Sequence, residues 1–108
     1  MGKRSATANE EAVEVLAGSF AATGTSTPRG LWGDFNIAIW GTFVGTVAVE
    51  RSFDGGTTFI PVARDTSGTA ATFTAPTSLS ISEPERAVLY RLNCNAYTSG
   101  TISYRLSQ

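Results

Sequence analysis

The sequence predicts an all-β protein: an antiparallel β-sandwich or jelly roll of about seven to eight short strands behind a flexible N-terminal arm. Three observations lead there. Apolar and polar residues alternate with period two in one run after another, as in strands that bury one face. Turn-forming clusters punctuate the runs: GTFVG at 41–45, DGG at 54–56, DTSG at 65–68, SEPE at 82–85 and TSG at 98–100. No long helical pattern separates the strands, which disfavours a parallel α/β sheet.

Taken in order, MGKRSATANE (residues 1–10) has almost nothing to bury and is expected to be mobile unless a partner orders it. We place the arm at residues 1–12 and the sandwich domain at 13–108. NEEAVEVLAG admits two readings: a short helix capped by Asn9 and stopped by Gly18, or a first strand with Val13 and Val15 flanking Glu14. The strand is favoured, because it runs on into SFAATG. GTSTPRGLWG (24–33) reads as a loop carrying an exposed Leu31–Trp32 pair. In DFNIAIW, Phe35, Ile37 and Ile39 share the face opposite Asn36, Ala38 and Trp40; in TVAVERSF, Val47, Val49 and Phe53 do so. FIPVAR follows the DGG turn, and Pro61 marks it as an edge strand. Phe73, Leu79 and Ile81 anchor the next two extended stretches. VLYRLNCNA turns Val88, Tyr90, Leu92 and Cys94 inward, and TISYRLSQ does the same with Ile102, Tyr104 and Leu106.

The totals narrow the function. At 108 residues the chain is one domain, and roughly two-thirds of its unfolded surface can be buried without staples. A net charge of −1, a single lysine and scattered arginines give no basic patch, so no nucleic-acid partner is expected. No apolar run approaches a membrane span or a signal peptide, and no membrane partner is expected. Cys94, the one cysteine, reads as a buried thiol. These features fit a protein made and assembled in a reducing cytoplasm. Histidine is absent, which removes Ser–His and Cys–His activation and nearly all zinc sites. Acid–base chemistry would rest on carboxylates alone, and the closest pair, Glu83 and Glu85, flanks Pro84 in what reads as a solvated turn. No catalytic, cofactor or metal residue is expected, and the chain reads as a non-enzyme.

The stretch RSFDGGTTF (51–59) is the sharpest local motif. Ser52, Asp54, Gly56, Thr58 and Phe59 fit S-x-D-x-G-x-T-aromatic, with Gly55 beside them. A carboxylate there can accept backbone N–H groups just ahead, the glycines permit positive φ, and the aromatic is expected to pack under the turn. The pattern resembles the Asp-box, a β-hairpin signature of sialidases and other β-proteins. It occurs once here, in a chain too short for a propeller, so what the resemblance implies is a structural turn and not an activity.

A broader resemblance covers roughly residues 35–108. IWGTFVGTVAVERSFDGGTTFIPV and AVLYRLNCNAYTSGTISYRLSQ resemble small β-sandwich proteins encoded among the structural genes of tailed bacteriophages and prophages. The shared features are a G-T-F-x-G-T-V hairpin, an E-R-S-x-D-G-G-T-T turn and a Y-R-L … Y-T-S-G-T terminus. Such proteins are similar to head decoration (cement) proteins, or to small tail and adhesion modules. The resemblance implies a non-enzymatic virion component, a homo-oligomer with the trimer favoured, binding major capsid protein or another virion protein at the capsid surface. Leu31, Trp32, Trp40 and Tyr97 are the candidate contact residues. The alternative is a tail or adhesion module whose Trp32, Trp40 and Tyr97 stack on host-surface carbohydrate.

Overall fold

Backbone pairing sorts the described residues of the computed structural model, 15–63 and 68–108, into ten strands in two antiparallel sheets. The first sheet holds β1 (Val15–Phe20), β10 (Ile102–Ser107), β4 (Gly33–Trp40) and β8 (Thr77–Glu83), in that order across the sheet. The second runs β2 (Gly24–Thr25), β9 (Leu89–Gly100), β5 (Phe43–Ser52), β6 (Ile60–Pro61), with β3 (Arg29–Gly30) also on β9 and β7 (Thr72–Phe73) also on β5. The expected arm at residues 1–12, Val13, and all but Gly68 of the DTSG turn lie outside the described residues.

Alternation does what it should. Phe35, Ile37 and Ile39 of β4, Val47 and Val49 of β5, Tyr90, Leu92 and Cys94 of β9, and Ile102, Tyr104 and Leu106 of β10 form one buried cluster between the sheets. Each such side chain contributes about 1.5–3 kcal/mol by leaving water. Residues 15–20 form a strand, not a helix, paired along their whole length with β10. Pro61 does lie in an edge strand, where its missing N–H costs the ladder nothing.

The strand count exceeds expectation because four strands are only two residues long. Two of them, β2 and β3, sit in GTSTPRGLWG, which runs alongside β9 instead of looping into solvent. Leu31 is therefore buried, with its N–H donating to the Val88 carbonyl at 3.3 Å. The expected exposed pair is corrected to one core residue and one half-buried tryptophan.

GTFVG is not a hairpin. Trp40 ends in the first sheet and Phe43 begins in the second, so Gly41 and Thr42 carry the chain across the sandwich. The expected TSG turn is instead the end of β9, and Thr101 just after it makes the reverse crossing. The two corners are joined: Phe43 pairs with Gly100, and Thr101 N–H donates to the Thr42 carbonyl at 3.1 Å. Gly100 has φ of 92°, and a Cβ there would run into that same carbonyl, so only glycine fits.

Candidate interaction surface and the polar clusters

The turn after β5 forms the hydrogen bonds its motif calls for. Ser52 Oγ accepts the N–H groups of Gly56 at 2.9 Å and Asp54 at 3.3 Å, and donates to Asp54 Oδ1 at 2.7 Å. The same Oδ1 accepts the N–H groups of Thr58 at 2.8 Å and Thr57 at 3.1 Å. Gly55 and Gly56 have φ of 76° and 99°, conformations that strain a side chain bearing Cβ. The Thr58 backbone hydrogen bond, then the Ser52 hydroxyl, stabilise the Asp54 carboxylate and lower its pKa to about 2. A carboxylate held so tightly is a poor proton carrier. It fixes a loop.

Phe59 does not pack under this turn. It is half-buried beneath Arg91, whose guanidinium lies 3.8 Å from the ring centroid. Arg91 Nε donates to Glu50 Oε1 at 2.8 Å, and Asn93 Nδ2 donates to Glu50 Oε2 at 3.1 Å. Phe53 was expected inward with Val47 and Val49. It lies one residue past the end of β5, where the alternation no longer holds, and is exposed with Arg51 stacked 4.9 Å from its ring.

SEPER is not a solvated turn throughout. Glu83 is 2 % exposed. Tyr90 Oη donates to Glu83 Oε1 at 2.7 Å, Arg51 Nη1 donates to the same oxygen at 2.8 Å, and Glu85 N–H donates to Oε2 at 2.9 Å. Burial opposes the charge on Glu83, but these donors outweigh it and lower its pKa. Burial, then the Glu83 hydrogen bond, pushes the Tyr90 pKa up to about 12. Glu83 and Glu85 are thus not a matched carboxylate pair, since one is locked between the sheets and the other supplies a backbone donor. Cys94 is buried, and burial raises its pKa as well.

The candidate contact residues separate. Trp40 is 46 % exposed on the outer face of the first sheet, paired with Ser103. Trp32 is half-buried, with the Arg86 guanidinium 4.1 Å from its ring centroid and the Gln108 amide bonded to its carbonyl. The two tryptophans flank opposite ends of β4, roughly 26 Å apart along an extended strand. Tyr97 packs against the core, its hydroxyl donating to the Gly100 carbonyl at 2.7 Å. The three aromatics therefore do not make one stacking platform. Alternation places Trp40 outward, and it does stand exposed; what the residue pattern misses is Val44 beside the paired corners, and Phe53 and Ile60 beside the Asp54 turn. Val44 and Ile60 lie at the starts of β5 and β6 and Phe53 just past the end of β5, where there is no period to read.

Among the described residues, no three His, Cys, Asp or Glu side chains are grouped to hold a metal ion, and no helix is long and apolar enough to cross a membrane. No family model, curated protein or solved structure matches the chain.

Proposed function

We propose that the chain is a structural virion protein, a capsid decoration protein that binds the major-capsid lattice of a tailed bacteriophage and holds neighbouring subunits together. The observation that carries this reading is the division of labour among side chains. Glu50, Asp54 and Glu83 are each tied by two or more internal donors, while Trp40, Val44, Phe53 and Ile60 are left exposed on strands and turns held rigidly by pairing. Exposed aromatic and aliphatic anchors on a rigid frame suit protein contact, where such residues dominate binding energy. The motif resemblance supplies the virion context.

The test is cosedimentation with capsids of the phage whose structural genes encode the chain, prepared without it. The wild-type protein should bind, and a Trp40→Ala/Val44→Ala variant should keep its fold by circular dichroism but bind at least tenfold more weakly. Wild-type protein that ignores the capsids, or that binds glycans instead, overturns the reading.

A further inference from the structure

We infer that β8 is a self-association edge: two copies of the chain pair their β8 strands antiparallel about a twofold axis at Ser80, joining their first sheets into one. Among the described strands, β8 pairs with β4 alone, so one side of its seven residues, Thr77–Glu83, has no ladder partner. Proteins usually protect such an edge with lysine, proline, a bulge or a short strand. Within β8 none of these interrupts the edge before its last residue: its register with β4 is regular throughout, Thr77–Ser82 carry no charge or proline, and Pro76 and Pro84 stand just outside the strand.

The occupant follows from the sequence of the strand. Ser78-Leu79-Ser80-Ile81-Ser82 reads the same in polarity from either end. An isologous contact needs that self-complementarity. Pairing about Ser80 sets Leu79 against Ile81 of the second copy on the core side, and Ser78 against its Ser82 on the outer face. A shift by one residue would oppose apolar to polar side chains on every pair. Leu79 and Ile81 are only partly buried by their own protomer, beside an apolar slot formed with Val62, Ala71 and Phe73 of the other sheet. The second copy covers this slot.

The experiment measures solution mass together with register. Sedimentation equilibrium of the wild-type protein over the micromolar range should give twice the chain mass. Ser78, Ser80 and Ser82 are exposed, so S78K/S80K/S82K should fold normally yet sediment as a monomer, because each lysine faces another across the axis. Mixing it with S78E/S80E/S82E should restore the dimer. Cys94 is buried, which leaves an introduced thiol to react alone. Ser80→Cys should form an intermolecular disulfide under mild oxidation, since opposed Cβ atoms lie about 4.5–5.5 Å apart. Ser78→Cys should not, its counterpart being about 13 Å away along the strand. A monomeric or trimeric wild-type protein, or equal cross-linking of the two cysteine variants, overturns the inference.

Discussion

Tyr90 Oη donates to Glu83 Oε1 at 2.7 Å, tying the middle strand pair of one sheet to the end of the edge strand in the other. Arg51 Nη1 reaches the same oxygen at 2.8 Å. The three groups close one end of the sandwich with a polar plug where the alternation would otherwise place an aliphatic.

Glu83→Ala leaves a buried phenol and a guanidinium without their acceptor. Breaking a fully buried pair costs about 3–5 kcal/mol. The Arg51 side chain is 32 % exposed, so water recovers part of that and about 2–3 kcal/mol is expected. Glu83→Gln keeps an acceptor for Tyr90 and should lose clearly less. Urea unfolding of the two variants beside wild type measures both, and equal losses would mean the charge carries the whole effect.

The same plug sets an alkaline limit. The folded Tyr90 pKa is pushed from 10.0 to about 12, so the folded state holds its phenol proton where the unfolded chain releases it. That stability is fully present below about pH 10 and is lost as pH rises through about 12. Tyr90→Phe should flatten the decline in unfolding free energy across this window. Burial also raises the Tyr104 pKa, so the variant should shrink the decline without abolishing it.

Core position, not motif membership, ranks the hydrophobic truncations. Leu31 is 2 % exposed, and Leu31→Ala should cost about 2–5 kcal/mol. Phe59 is half-buried beneath Arg91, and Phe59→Ala should cost only about 1–2 kcal/mol. The order of the two denaturant midpoints checks the assignment.

How far these features were legible follows from the reach of period two. Within β4, β10 and β9 as far as Cys94 the inward residues follow from alternation, because both strand faces are defined there; beyond Cys94 the register with β5 shifts, and Tyr97 packs against the core out of phase. The same rule also placed Glu83 inward, two residues beyond Ile81, as it placed Arg51 beyond Val49. Their charge points to solvent and masks that position. Across two-residue strands such as β2 and β3 no period exists, so nothing in the residues around Leu31 separates a core position from a loop one. The clusters GTFVG and TSG mark turns near the corners at Gly41–Thr42 and Thr101 without giving their direction. Whether a turn returns within a sheet or crosses to the other depends on strand order, a long-range property that local residues do not encode.

The Asp54 turn yields the last prediction, because its hydrogen bonds make its role separable from binding. The folded carboxylate titrates at about 2 against an ordinary 3.8, so it favours the folded state above about pH 4 and loses that effect as pH falls toward 2. Asp54→Ala should lower the urea midpoint at neutral pH and weaken the acid dependence over that window. Gly55→Val and Gly56→Val should each cost about 1–2 kcal/mol from positive φ alone. A Cβ at Gly55 meets no neighbouring atom, whereas one at Gly56 comes within 3.4 Å of Leu89, so Gly56→Val should be the worse of the two. Capsid binding, scaled to the folded fraction, should be unchanged in all three variants. An Asp54→Ala protein with wild-type stability and no capsid binding would make this turn a contact site instead of a brace.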